Sequence, residues 1–273
     1  MRQLKGSRIS QEVVKLVRKA NFSLRKDVLL ALRKAYRDEK NKRAKNILRA
    51  ILENAAYAQK ENLAICQDTG MPIVFAQLGA NLRISGNLRA AIDQGIADGY
   101  KKYALRNSIV PNPLLRGASG FTPCILHVDI VPGNKLKLIL LPKGFGCENK
   151  SQLKMFKPTA GLEEIKRFIV EAVKTAGPDA CPPYVVGVGI GGTADYSGLL
   201  AKKALLSNLA RRRSELEKDL LKRINKTAIG PMGLGGKTTA LAVKVLTYPT
   251  HIAGLPVSVN ISCHALRGAQ TIL

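Results

Sequence analysis

A mixed α/β (α+β) fold is predicted here, a sheet core covered by helices behind a helical N-terminal region, and three observations carry it. Residues 1–60 place apolar side chains at helical spacing with little punctuation. Beyond residue 60, short apolar and β-branched runs recur, each bounded by Gly, Pro or Asn. Those runs alternate with further helical-period segments, and the economical way to bury both is a sheet with helices packed around it. A chain of 273 residues can enclose a sizeable core. With no repeat, low-complexity tract or linker to divide it, one domain spanning 1–273 is expected.

In chain order, the N-terminal part reads as two or three helices. Val13, Val14, Leu16 and Val17, then Leu29, Leu30 and Leu32, then Ile47, Leu48, Ile51 and Leu52 form apolar stripes backed by basic residues. The pattern breaks at the turn Gln67-Asp68-Thr69-Gly70. Residues 72–78 predict a strand and 87–105 a helix. Residues 123–131 and 135–141 predict a hairpin about Pro132-Gly133-Asn134. Helical spacing returns over 162–175, and 183–190 is an apolar strand ending in glycines. Residues 196–224 read as one long charged helical segment, followed by strands near 240–247 and 256–260.

Charge and composition exclude several classes. The net charge of +25 invites a nucleic-acid reading. Residues 1–50 hold 16 Lys/Arg against 4 Asp/Glu and residues 201–226 hold 9 against 3, but both stretches carry apolar stripes at helical spacing. Their charges read as solvated helix backs. Trp is absent, few aromatics are interleaved with the basic residues, and no helix-turn-helix, zinc-finger or RNP pattern occurs. A basic nucleic-acid or nucleotide-binding protein is therefore the reading from a different class, and a nucleic-acid partner is not expected. A positive field also draws in a small dianionic substrate. The longest apolar stretches fall far short of the ~20 residues of a membrane-spanning helix. No signal-like segment opens the chain, and five cysteines without regular spacing do not form a disulfide framework, so a cytoplasmic location is expected.

Three of those cysteines, Cys66, Cys181 and Cys263, stand far apart, each beside a small polar or glycine-rich turn, and the chain has no CxxC. Zinc ribbons and ferredoxin clusters use closely spaced cysteines. Ligands gathered from distant loops suit a cluster with one open iron to which a substrate can bind. Cys124, inside an apolar strand, reads as a small buried residue. His127, between apolar residues, reads as a sheet histidine.

Two glycine-rich segments resemble nucleotide motifs only in part. Gly187-Val188-Gly189-Ile190-Gly191-Gly192 fits GxGxxG, yet the acidic residue expected about 20 positions later is replaced by a charged helical run. In Gly230-Pro231-Met232-Gly233-Leu234-Gly235-Gly236-Lys237-Thr238 the spacing of a phosphate loop is missed by one residue. Both segments are expected to serve as anion cradles, because glycine lets backbone N–H groups approach a carboxylate.

Taken together, eight ordered motifs resemble the iron–sulfur (class I) fumarate hydratases. They are Cys66-Gln67-Asp68-Thr69-Gly70, Leu105-Arg106-Asn107-Ser108, Lys143-Gly144-Phe145-Gly146-Cys147-Glu148-Asn149, Cys181-Pro182-Pro183, Gly191-Gly192-Thr193, Gly235-Gly236-Lys237, His251-Ile252-Ala253-Gly254-Leu255-Pro256 and Cys263-His264-Ala265. The likeness is to the α subunit of the two-subunit form, shared with L(+)-tartrate dehydratase, and runs from about residue 60 onward. One departure is visible, since the family's loop of consecutive glycines followed by serine is here Gly144-Phe145-Gly146-Cys147.

The resemblance implies a [4Fe-4S] cluster held by Cys66, Cys181 and Cys263, its fourth iron acting as a Lewis acid on a small dicarboxylate. It implies that Gln67 and Asp68 line the substrate, with Asp68 carrying a proton, and that Arg106 clamps a carboxylate. His251 matches a substrate-contacting histidine grouped with the catalytic residues, and Gly144 or Gly146 offers backbone N–H groups. The expected reaction is the hydration of fumarate to L-malate and its reverse. L(+)-tartrate dehydration is the alternative, with mesaconate hydration behind it. The family's proton-abstracting threonine belongs to a second lyase domain, so a β subunit carrying that domain is the expected partner.

Overall fold

A computed structural model describes residues 2–273. In chain order it contains β1 (Arg2–Lys5), α1 (Gly6–Phe22), α2 (Lys26–Asp38), α3 (Lys42–Glu61), β2 (Met71–Gly79), β3 (Leu82–Ser85), α4 (Leu88–Lys102), β4 (Ile125–Val131), β5 (Leu136–Lys143) and α5 (Phe145–Glu148). There follow β6 (Gln152–Phe156), α6 (Leu162–Ala176), β7 (Tyr184–Gly192), α7 (Ala194–Leu205), α8 (Glu215–Asn225), β8 (Ala240–Thr250), β9 (Leu255–Ser262) and β10 (Ala269–Ile272). The expected α/β class is present. Among the described residues no helix is long and apolar enough to cross a membrane.

The chain divides into two compact units, both discontinuous in sequence. The first takes the residues up to Arg25, Tyr57–Phe145 and Arg267–Leu273. Its four-stranded sheet has the order β10-β5-β2-β4, with β2 parallel to β4 and antiparallel to β5. Strands β1 and β3 form a separate parallel pair. The apolar stripe of α1 (Val13, Leu16, Val17) and that of α4 (Ile92, Ile96) bury against Val74 and Ala76 of β2 and Leu136, Leu138 and Leu140 of β5. This is how the periodicity in the sequence becomes packing: side chains three and four apart share one helix face, and alternate strand residues share one sheet face.

The second unit takes Lys26–Ala56 and Gly146–Leu266. Its sheet has the order β6-β9-β7-β8, with β7 parallel to β8 and antiparallel to β9. Ile165, Ile169 and Val173 of α6 and Leu220 and Ile224 of α8 share a core with Val186 and Val188 of β7 and with Val257, Val259 and Ile261 of β9. Helix α7 packs so closely on β7 that a Cβ on Gly187 would lie 2.1 Å from the Ala201 carbonyl, and one on Gly189 would lie 2.0 Å from the Ser197 carbonyl. The GxGxxG spacing is thus spent on helix–sheet contact.

Three expectations are corrected. Residues 123–131 and 135–141 do contain strands, but β4 and β5 do not pair as a hairpin, because β2 lies between them. The connection wraps the end of β2 instead: Gly79 N donates to Lys135 O, Ala80 N to Val131 O, and Asn81 N to Gly133 O. Residues 196–224 are two helices. Between α7 and α8 the Leu209 N–H is drawn to the Asp27 carboxylate, and Ser214 starts α8 with a reciprocal capping box to Glu217. The loop over 230–238 is not an open anion cradle. Its N–H groups at Gly233 and Leu234 bond within the loop, that of Gly235 donates to the Ile229 carbonyl just before it, and that of Lys237 donates to Glu39 Oε2 at 2.8 Å.

Candidate active site

In the first unit, the turn before β2 brings together Cys66, Gln67, Asp68, Arg106 and Gly144. Gly70 adopts a left-handed φ of +76°, and a Cβ there would sit 2.8–2.9 Å from backbone atoms of Pro142 and Lys143. Only glycine fits this crossing of the turn over the end of β5. Asp68 then reaches back along both segments. Its Oδ1 accepts the Gly70 N–H at 3.0 Å, and its Oδ2 accepts the Phe145 N–H at 2.8 Å. Gly144 leaves room for that carboxylate, since a Cβ would approach Asp68 Oδ2 to 3.0 Å. These two bonds to backbone N–H groups fix the direction in which the carboxylate points.

The same turn is anchored from helices and from the segment after residue 266. Tyr100 Oη donates to the carbonyls of Thr69 and Gly70 at 3.0 and 3.2 Å. Burial pushes its phenol well above the ordinary range, while Arg267 opposes the shift. Arg267 is itself buried, donating from Nη2 to the Asp68 carbonyl at 2.6 Å and from Nη1 to Asn21 Oδ1 at 3.1 Å. Thr69 Oγ1 accepts the Arg106 N–H at 3.2 Å, which ties the two motifs by backbone. The exposed Arg106 guanidinium makes no ion pair with the described residues. The thiol of Cys66, half-buried, lies 3.4 Å from Gln67 Oε1.

In the second unit, Cys181 and Cys263 come together at one end of the sheet. Cys263 directly follows β9, and Cys181 precedes β7, where Ser262 pairs with Val185. Cys181 has a left-handed φ of 56°, a conformation that costs a non-glycine residue of order 1–3 kcal/mol and is held only by its surroundings. Those surroundings are explicit. Its N–H donates to Pro178 O, and its carbonyl accepts the His264 N–H at 3.4 Å and lies 3.1 Å from His264 Nδ1. Met232 N–H donates to Pro182 O, so the glycine-rich loop steadies the cysteine turn. His264 is thereby a loop-orienting residue.

His251 stands exposed in the connection from β8 to β9, and its Nδ1 accepts the Ala253 N–H at 3.2 Å. In the neutral ring this fixes the proton on Nε2, so the outward nitrogen donates. A Cβ on Gly146 would meet nothing within 4 Å, so the space beside it is open.

Cys124 and Cys147 are buried, unlike the other three. Burial, reinforced by Asp93, pushes the Cys124 thiol up to about 12, which leaves it inert as a ligand or nucleophile. Cys147 donates to Ala180 O. His127 stacks on Phe75 with ring centroids 5.2 Å apart, a sheet residue as expected. Among the described residues no three His, Cys, Asp or Glu side chains gather about a point that would suit a single metal ion.

The sequence reading missed Tyr100 and Arg267. A signal existed for the second, an arginine four positions beyond Cys263 and directly after Ala265-Leu266.

Comparison with known proteins supplies the family. The profile described as Fumarate hydratase (Fumerase) matches residues 10–272, and the chain belongs to that family. It is 42% identical over 275 residues to a Methanocaldococcus jannaschii protein provisionally named L(+)-tartrate dehydratase subunit alpha, covering 96% of each chain. It is 29% identical over 252 residues to the L(+)-tartrate dehydratase subunit alpha of Escherichia coli strain K12, covering 88% of this chain and 82% of that one. The protein of the same name in Shigella sonnei matches to the same extent.

Proposed function

We propose that this chain is the α subunit of an iron–sulfur-dependent hydro-lyase that interconverts fumarate and L-malate, acting with a β subunit that carries the second lyase domain. The observation that carries the reading is the family match across residues 10–272, which takes in every motif placed at the two cysteine turns. Cys66, Cys181 and Cys263 are proposed to hold a [4Fe-4S] cluster. The donor set suits it: these three thiols are exposed or half-buried beside turns, whereas the remaining two are buried. When bound, the cluster supplies a Lewis-acidic iron for the substrate hydroxyl. Thiolate ligation of this kind fits the reducing cytoplasm.

The chain's own residues then bind, orient and move protons. Arg106 offers a planar fork to a carboxylate. Gln67 and the backbone N–H groups of Gly144 and Gly146 offer further donors. Asp68 has two of its roughly four lone-pair positions filled by Gly70 and Phe145, so it retains capacity to carry a proton while its orientation stays fixed. His251, protonated on Nε2, donates to the substrate.

L(+)-tartrate dehydration is the second reading, favoured by the names of the relatives. Both substrates present two carboxylates across a two-carbon unit, so this half of the machinery serves either. The deciding experiment purifies the chain anaerobically with its co-expressed partner and compares kcat/KM for fumarate, L-malate and L(+)-tartrate. Turnover of fumarate at least about tenfold more efficient than that of tartrate supports the first reading. The reverse ratio establishes the second, and a colourless protein that turns over none of them overturns both.

A further inference from the structure

One carboxylate of the second unit ties three elements together and takes no part in the proposed reaction. Glu148 ends α5, two residues after Gly146. Its Oε2 accepts from Asn260 Nδ2 of β9 at 3.0 Å, and its Oε1 pairs with Lys202 Nζ of α7 at 2.5 Å. The same Asn260 Nδ2 donates to Ser151 Oγ at 2.8 Å, and the short turn between is closed by Lys150 N–H to Cys147 O and Ser151 N–H to Glu148 O. Asn260 is only 3% exposed, yet its Oδ1 has no hydrogen-bond partner among the described residues. A buried acceptor left in this way is costly and rare. Turning the amide over would set Oδ1 against the Glu148 carboxylate, so Glu148 fixes the orientation in spite of that cost.

Residues 147–151 also grip the other cysteine turn. Cys147 Sγ donates to Ala180 O at 3.5 Å, and Lys150 Nζ pairs with Asp179 Oδ2 at 2.8 Å, one and two residues before Cys181. Asn260 stands three residues before Cys263 on β9. The segment is thus joined on one side to the approach to Cys181 and on the other to the strand that delivers Cys263, with Gly146 directly ahead of it.

We propose, on the reading of Cys181 and Cys263 as cluster ligands, that Glu148 is a positioning residue for both cluster and substrate. Through Asn260 it sets the spacing of the two cysteine turns, and through its own backbone it holds the Gly146 N–H where a substrate carboxylate meets it. The unpartnered Asn260 oxygen follows from that role. An apolar side chain of the same size would remove the buried acceptor, but it would also cut the link between β9 and α5, and departures from local rules of this kind belong to sites under functional constraint.

The test follows the visible absorbance of the cluster in enzyme purified anaerobically from the full chain and its co-expressed partner, after a ferrous-iron chelator is added. Asn260→Leu keeps the side-chain size, removes the unpartnered acceptor and breaks the tie to Glu148. Its denaturant midpoint should equal or exceed that of wild type, while its cluster is lost at least about tenfold faster. Glu148→Asp is one methylene too short to reach both donors and should show the same fast loss, with KM for the dicarboxylate raised more than kcat is lowered. Glu217→Gln alters another buried carboxylate of the same unit, that of the α8 capping box, and should lower the midpoint without speeding cluster loss. A wild-type cluster lifetime in either of the first two variants, once circular dichroism shows it folded, overturns the proposal. So does a loss rate that merely tracks the denaturant midpoint across all three, and an unchanged KM in Glu148→Asp removes the part concerning Gly146. A colourless wild type overturns the cluster reading itself and this inference with it, whereas a loaded wild type matched by its variants overturns this inference alone.

Discussion

β2 and β7 occupy the same place in two sheets of identical strand arrangement. Each is the central strand, with a parallel edge strand (β4 or β8) on one side and an antiparallel neighbour (β5 or β9) on the other, followed by a further antiparallel strand (β10 or β6). In each, a cysteine turn leads into the central strand, and the antiparallel neighbour delivers a second motif to that end of the sheet, Gly144-Phe145 in one unit and Cys263-His264 in the other. The units differ in how the turn is held. The turn at 66–70 is fixed largely by side chains, those of Asp68, Tyr100 and Arg267. The turn at 181–183 is fixed largely by main-chain bonds to Pro178, Met232 and His264. A side-chain anchorage can be removed by one substitution, whereas a main-chain anchorage survives most of them.

Ligand replacement has the largest expected effect and treats the two turns alike. Cys66→Ser, Cys181→Ser and Cys263→Ser should each abolish cluster retention, with iron and sulfide content falling away after anaerobic reconstitution. Cys124→Ser should retain both. A full cluster in any of the first three would remove that residue from the ligand set.

At the side-chain-held turn, Asp68→Asn should lower kcat by about 100-fold or more with a smaller change in KM, the signature of lost proton transfer. Equal losses in both parameters would reduce Asp68 to a holder of Gly70 and Phe145. Arg106→Lys keeps the charge but not the fork, and should raise KM about tenfold or more, equivalent to ~1.4 kcal/mol. Steady-state kinetics of the reconstituted enzyme decide both.

The contrast between anchorages is sharpened by a pair of substitutions. Arg267→Met leaves the Asp68 carbonyl and Asn21 amide oxygen without their donor and should cost about 2 kcal/mol in denaturant unfolding, with kcat reduced as well. His264→Ala removes a ring but leaves the main-chain bond to Cys181, and should cost about 1 kcal/mol or less. If the second variant is the more damaging, the distinction drawn between the two turns is wrong.

The smallest effect lies on the surface of the second unit. Side-chain hydrogen bonds from Lys166 and Arg223 depress Asp219 to about 2. A depressed carboxylate contributes stability above its unfolded pKa of about 4, and that contribution is lost as pH falls through the folded value near 2. Asp219→Asn should therefore flatten the acid side of the stability profile slightly and leave neutral-pH stability almost unchanged, as exposed ion pairs do. A large loss at pH 7 would show that this network is more than a solvated cluster.

Much of this architecture was legible from local pattern. Apolar stripes located the three N-terminal helices, β-branched runs located β2 and β7, and the apolar context of Cys124 and His127 marked them as structural. Strand partners were not legible, because the choice between β5 and β2 as the neighbour of β4 depends on distant chain crossing the sheet, and Pro132-Gly133-Asn134 suits either course. The break between α7 and α8 had a signal in Ser214-Glu215-Leu216-Glu217, a capping box that the surrounding helical spacing hid. Strands of four or five residues such as β1, β3, β6 and β10 are too short to show a period. At the site, residue identities were readable but the anchorage was not. Arg267 and Asp68 are 199 positions apart in sequence and meet only through the fold.

The discontinuity of the first unit has a consequence in time. All segments of the second unit, Lys26–Ala56 and Gly146–Leu266, leave the ribosome before β10 does. Until residues 269–272 arrive, β5 lacks its antiparallel partner, and until Arg267 arrives the Asp68 carbonyl lacks its donor. At that stage the first sheet has two open edges, β4 and β5. The turn bearing Cys66 therefore gains its last anchorage only once the segment beyond residue 266 has been made.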